Sequence, residues 1–177
     1  HRFWTQTPDW NSDGIGDLII GGRGHITALS GATGAVIWNT QNHILEQPNQ
    51  WQAEISDFNG DGIGDILLSH PKGDYASNSR CGVMEVRNGL TGDLLWASAG
   101  SANQRFGENL HLDDVNNDGI ADVMTSYGDR ATVLSGRDGA ILWDRELGFG
   151  LPGDILEFIV DLSADGVDDL IFQYHSV

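Results

Sequence analysis

Cysteine is almost missing from this chain. Cys81 stands alone among 177 residues, which excludes an internal disulfide and leaves a buried thiol as the expected state. Basic residues are scarce as well. Nine Lys and Arg face 26 Asp and Glu, for a formal charge of -17. Phosphate binding needs clustered cations, so no nucleic-acid partner is expected, and an anionic membrane surface is disfavoured for the same reason. Apolar runs such as Ile15 to Ile20 are broken by Gly or Asp within a few residues, well short of the roughly 20 that cross a bilayer. No membrane span is expected. An initiator Met and a signal-peptide pattern are also missing ahead of His1, so a cut or processed chain is expected and the compartment has to be inferred from other features.

Chemical machinery is equally sparse. The six histidines, His1, His25, His43, His70, His111 and His175, show no close metal-binding spacing. Neither a phosphate loop nor a Gly-x-Ser-x-Gly elbow occurs, and no nucleophile or acid–base set stands out.

What is present is glycine and aspartate in register. With 40% hydrophobic and 20% charged residues the composition suits one globular domain over residues 1–177. A charge this negative repels itself in a compact state unless something cationic compensates it. A fixed period decides the architecture. Asp9-Trp10-Asn11-Ser12-Asp13-Gly14-Ile15-Gly16-Asp17 returns as Asp57 to Asp65, as Asp114 to Asp122, and more weakly as Asp161 to Asp169. The starts lie 48, 57 and 47 residues apart.

Each loop runs into a short β-favouring segment: Leu18 to Ile20, Ile66 to Leu68, Val123 to Thr125 and Leu170 to Phe172. Another apolar segment precedes each: Phe3 to Thr7, Trp51 to Ile55, Phe106 to Leu112 and Ile155 to Val160. The first three units add a strand, a Gly-bounded turn (Gly31 to Gly34, Gly89 to Gly92, Gly136 to Gly139) and a strand ending in Trp38, Trp96 or Trp143. Four short antiparallel strands per unit describe a β-propeller blade. The fold class expected is therefore all-β, with blade repeats at 1–46, 47–102, 103–150 and an incomplete 151–177. About three and a half blades is short of the 4 to 8 that usually close a ring, so the chain is expected to be part of a larger propeller. The tryptophans are expected to pack between blades.

Calcium takes 6 to 8 hard oxygens, and alternate residues of a tight loop can aim theirs at one centre. The pattern D-x-N-x-D-G-x-x-D assigns Asp9, Asn11, Asp13, the Ile15 carbonyl and Asp17 to the first site. The second takes Asp57, Asn59, Asp61, the Ile63 carbonyl and Asp65, and the third Asp114, Asn116, Asp118, the Ile120 carbonyl and Asp122. The fourth takes Asp161, Ser163, Asp165, the Val167 carbonyl and Asp169, and is expected to be weakest because Ser163 is a poorer ligand than Asn. The residue at position seven is expected to tuck its side chain under the loop. An EF-hand needs a Glu at position 12 and flanking helices. Ile20, Leu68, Thr125 and Phe172 stand there instead, inside predicted strands. Magnesium prefers a compact octahedron with retained waters, so calcium suits a loop with this many protein ligands better. Four Ca²⁺ ions would bring -17 to -9.

At these residues the chain resembles the FG-GAP and VCBS repeat family, the calcium-binding blades of integrin α-subunit propellers and of many microbial surface proteins. The aspartate loop carries the resemblance in all four units, whereas the Phe-Gly signature is met by Phe106-Gly107 alone; Trp4, Trp51 and Leu156 sit near that position elsewhere. The Gly-x-x-Gly turn before Trp is similar to the blade tail of quinoprotein propellers. The resemblance implies that the aspartate loop and the Gly turn share one face, with ligands bound on the other. There the second unit is lengthened over Ser69 to Arg80, so His70, Lys72, Asp74, Tyr75 and Arg80 are the candidate partner-binding residues.

The resemblance implies an extracellular or cell-surface module for adhesion, surface or appendage assembly, or binding of protein, glycan or further copies of itself. Calcium is plentiful outside cells, where modest-affinity sites fill. The alternative is a fragment of a calcium-dependent carbohydrate-active propeller such as a polysaccharide lyase, with its catalytic residues elsewhere; the missing catalytic set favours the first reading.

Overall fold

A computed structural model describes residues 2–3, 8–22, 24–41, 52–70, 83–99, 109–127, 130–146, 156–160, 162–164 and 169–172. Among them there are strands and turns and no helix. The first four strands are β1 (Arg2–Phe3), β2 (Leu18–Gly22), β3 (His25–Leu29) and β4 (Val36–Gln41). They pair in sequence order as one antiparallel four-stranded sheet. The next four, β5 (Gln52–Ser56), β6 (Asp65–His70), β7 (Val83–Arg87) and β8 (Leu94–Ala99), do the same. So do β9 (Asn109–Asp113), β10 (Asp122–Tyr127), β11 (Arg130–Leu134) and β12 (Ile141–Glu146). A fourth unit holds the antiparallel pair β13 (Leu156–Val160) and β14 (Asp169–Phe172).

The repeated pattern thus folds as repeated up-and-down sheets, all antiparallel. One expectation needs correction. The strands do not end in Trp: β4, β8 and β12 carry Trp38, Trp96 and Trp143 as their third residue and run three further. Between β3 and β4, β7 and β8, and β11 and β12 the register shifts just after the tryptophan's partner, Ala28, Val86 or Val133. Such an irregularity bends the strand and re-aims a side chain.

The middle sheet is buried on both faces, and the alternation along β6 explains how. Ile66 and Leu68 join Trp10, Ile19, Ile26, Ala28 and Trp38 of the first repeat in one apolar cluster. Leu67, one residue out of phase, joins Met84, Val86 and Trp96 in a second cluster with Ile120, Val123 and Leu134 of the third repeat. Side chains of a strand alternate between faces, so a continuous apolar run is what a sheet between two others needs.

Tryptophan fastens the neighbours. Trp38 donates its indole N–H to the carbonyl of Gly89 at 2.7 Å, and Trp96 donates to that of Gly136 at 2.6 Å. Trp10 reaches Gly64 in the same manner at 2.8 Å. Trp38 and Trp96 are each 7% exposed. Trp143 is half-buried, so the expected packing role is visible in two repeats. A buried ion pair, Arg87 to Glu85 at 2.8 Å, adds a polar tie, because Arg87 also donates to Thr40 of the first sheet at 3.3 Å. Cys81 lies outside the described residues.

Candidate metal centres

Backbone geometry closes the aspartate loops before any side chain is considered. Position four is left-handed in all four repeats: Ser12 at φ 59°, Gly60 at 77°, Asn117 at 58° and Ala164 at 57°. At position six Gly14, Gly62 and Gly119 have φ of 88°, 85° and 85°, a region that glycine enters at no steric cost. These two kinks turn the loop's N–H groups inward.

The carboxylate at position one receives them. Asp9 Oδ1 accepts from Asp13 N–H at 3.0 Å and Oδ2 from Gly14 N–H at 2.7 Å. Asp57 accepts from Asp61 and Gly62 at 3.1 and 2.8 Å, and Asp114 from Asp118 and Gly119 at 3.0 and 2.9 Å. Position five reaches forward, its Oδ1 accepting from the position-seven N–H of Ile15, Ile63 and Ile120 at 2.9, 2.8 and 2.9 Å. At position three, Asn11 Oδ1 lies 2.9 Å from the same Asp13 nitrogen that Asp9 binds, and Asn59 Oδ1 lies 2.8 Å from that of Asp61. Oxygens of positions one and three therefore meet over a single N–H.

Position nine does something the sequence pattern does not reveal. Asp17, Asp65 and Asp122 are 1%, 0% and 0% exposed. One oxygen of each accepts from the amides of positions two and three, at 2.7 and 3.3 Å for Asp17 and 3.1 and 3.2 Å for both Asp65 and Asp122. The other accepts from the first glycine of the Gly turn, Gly31, Gly89 or Gly136, at 3.1, 3.0 and 3.1 Å. The turn lies so close to the aspartate loop that a Cβ on Gly31 would stand 1.9 Å from the Gly16 carbonyl oxygen, and one on Gly136 1.8 Å from that of Ala121. The ninth residue is thus a clamp between the two loops of each of the first three repeats.

Asp169 accepts from Leu162 and Ser163 at 2.8 and 2.9 Å, so the fourth loop keeps the amide half of the pattern, together with the left-handed residue Ala164. Asp161, Asp165 and Val167 lie outside the described residues, as do Lys72, Asp74, Tyr75 and Arg80, while His70 is the last residue of β6.

The electrostatics separate the inner from the outer carboxylates. Desolvation pushes Asp65 and Asp122 above the usual carboxylate range; the N–H donors oppose it, and Asp61 with Asp57, or Asp118, add like-charge repulsion. Asp118 is held low chiefly by the Ile120 N–H, with Arg137 assisting against some desolvation. At Asp13 desolvation pushes upward but is outweighed by hydrogen bonding to Asn11, Ile15 and Ser30.

Among the described residues no three His, Cys, Asp or Glu side chains converge as a ready metal cluster, because the outer carboxylates lie on the loop's own amides. The donor chemistry nevertheless fits a hard cation. Every candidate ligand is oxygen, and in the third loop the Asn116 carboxamide donates to Asp122 Oδ1 at 3.1 Å, joining position three to position nine. The first loop has the same contact, Asn11 to Asp17, at 3.5 Å. In the second loop the Asn59 carboxamide donates instead to Asp61 Oδ2 at 2.9 Å. At position seven Ile120 is buried at 6% exposure and Ile63 packs on the first cluster, as expected. Ile15 is 50% exposed, contrary to expectation, and among the described residues it joins neither of the two apolar clusters that hold Ile63 and Ile120.

Sequence reasoning missed Ser30 and Arg137, which touch the position-five carboxylates Asp13 and Asp118. The signal was available in their place at the Gly turn, which the clamp brings beside the aspartate loop.

No protein-family model matches this chain, and no curated protein matches it.

Proposed function

We propose that this chain is a run of calcium-braced β-propeller blades of the FG-GAP and VCBS type, acting outside the cell as a non-catalytic module that binds protein or glycan or assembles with other copies. The observation that carries the reading is the repetition of one loop conformation with one set of oxygen donors. Four loops of different sequence, with Ser12, Gly60, Asn117 and Ala164 at position four, share a left-handed residue there. The Gly turns between the last two strands also carry a positive φ, but glycine supplies it there; in the aspartate loops Ser12, Asn117 and Ala164 hold it without that freedom, at a cost of roughly 1–2 kcal/mol each.

Asp9, Asn11 and Asp13, with the Ile15 carbonyl and Asp17, would hold the ion in the first loop, and their counterparts would do so in the others. Calcium supplies positive charge and oxygen affinity where carboxylates otherwise repel one another. The protein's part is to hold the loops in register, which the position-nine clamp does from within the core. Binding to the folded chain alone stabilises it by about 2.7 kcal/mol when free calcium is 100 times Kd.

A thermal melt in millimolar calcium and in EGTA tests the reading. The expected result is a melting temperature several degrees higher with calcium, unmatched by magnesium at equal ionic strength. Equal melting temperatures in calcium and EGTA would refute it.

A further inference from the structure

Arg137 occupies a position that the other two Gly turns fill with Ala32 and Leu90. Its importance lies in the oxygen it holds. The position-five carboxylate uses Oδ1 alike in three loops, on the position-seven N–H. Its Oδ2 is where the loops part. Asp13 Oδ2 accepts from the Ser30 hydroxyl at 3.1 Å, and Asp61 Oδ2 from the Asn59 carboxamide at 2.9 Å. Asp118 Oδ2 accepts from Arg137 Nε at 3.2 Å, while Arg137 Nη2 donates to the backbone carbonyl of Asp118, also at 3.2 Å. Two loops thus offer this oxygen to neutral donors, and the third gives it to a guanidinium.

We propose that Arg137 is the third loop's resident counter-cation, held on Asp118 in the absence of calcium and displaced when calcium binds, so that this loop has a lower calcium affinity than the first two. The inference rests on the calcium reading above. Its physical basis is competition between two cations for one carboxylate oxygen. The guanidinium must leave Oδ2 before a metal can use it, and while nearby it repels the metal.

Two further features suit a displaceable ion. Arg137 is 55% exposed and Asp118 30%, so the side chain can swing into water without moving a strand. The Gly136 N–H to Asp122 bond at 3.1 Å ties the Gly turn to the loop by a contact that does not involve Arg137. An exposed pair of this kind is weak, which sets the scale of the effect at about two- to five-fold in affinity. The consequence is a graded response: rising calcium fills the first and second loops before the third.

The experiment uses the full chain, labelled with ¹⁵N-glycine, stripped with EGTA and titrated with calcium chloride. The position-six glycines Gly14, Gly62 and Gly119 each report one loop by NMR. In the parent protein the Gly119 midpoint should lie about two- to five-fold above those of Gly14 and Gly62. Arg137→Leu should bring it down to theirs and leave those two unchanged; Arg137→Lys should keep the gap, and Arg137→Gln serves if the leucine variant folds poorly. In EGTA, Arg137→Leu should also lower the melting temperature, and calcium should remove that difference.

Equal Gly119 midpoints in the parent and Arg137→Leu would overturn the proposal while leaving the calcium reading intact. A loss of stability equal with and without calcium would overturn it too, marking Arg137 as an ordinary brace. No response from Gly14, Gly62 or Gly119 in the parent would bring down the calcium reading and this proposal together.

Discussion

The indole N–H of Trp38 donates to the carbonyl oxygen of Gly89, 2.7 Å away in the next sheet. This bond joins the outer strand of one repeat to the Gly turn of the next, and the Gly89 N–H in turn donates to the clamp residue Asp65 at 3.0 Å. One turn therefore connects the packing between repeats to the aspartate loop within a repeat. The same chain of contacts runs from Trp96 through Gly136 to Asp122.

Removing the ring should loosen the stack. Trp38→Ala should cost about 3–5 kcal/mol, the range for losing a buried large aromatic side chain. Trp38→Phe keeps most of the apolar area but strands the Gly89 carbonyl, at about 1–3 kcal/mol. Urea unfolding followed by tryptophan fluorescence measures both, and the alanine variant should be clearly the worse.

The glycines of the turns should not be equivalent. Gly34, Gly92 and Gly139 have φ of 71°, 77° and 73°, so an alanine at any of them is strained by roughly 1–2 kcal/mol. A Cβ on Gly92 would also stand 2.6 Å from the Trp38 ring, and one on Gly139 2.5 Å from that of Trp96, whereas Gly34 has open space. Gly34→Ala should therefore be the mildest of the three in a thermal melt. Equal losses would show that backbone strain alone matters.

How much of this was legible from sequence differs between the fold and the site. The loop starting at Asp9, Asp57, Asp114 and Asp161 announces the repeat, and hydrophobic segments on each side place the strands to within a few residues. Their ends were less legible, because β4 and β8 continue past Trp38 and Trp96, where exposed polar residues such as Asn39 carry no apolar signal. In the site, oxygen chemistry is visible in the pattern, but division of labour is not. Asp13 and Asp17 look alike as letters. Only the fold shows that Asp17 is buried beneath the Gly turn while Asp13 lies on the exposed side of the loop, since the turn is remote in sequence and arrives through the pairing of β2 with β3.

The clamp should matter even without metal. Asp65→Asn keeps the shape but turns an amide N–H₂ toward backbone donors from Phe58, Asn59 or Gly89. A buried donor left unpaired costs about 1–3 kcal/mol. Denaturant unfolding in EGTA should show that loss, with a smaller one for Asp61→Asn at the exposed position five.

Glu54 gives the pH dependence a defined sign. Desolvation in β5 raises its carboxyl above the ordinary value of 4.5, partly offset by His111. A raised folded-state value favours the neutral acid, so its contribution to stability is full below the unfolded value and is lost as pH rises through the folded one. Glu54→Gln should thus melt higher than the parent at pH 7, and the advantage should vanish near pH 4.

Calcium binding itself is the central claim, and calorimetric titration of the EGTA-stripped chain with calcium chloride measures it most directly. The account predicts saturable binding at about four sites per chain, with Asp57→Asn combined with Asp61→Asn removing one of them. A chain that remains folded but shows no saturable binding, or an unchanged number of sites in the double variant, would contradict it.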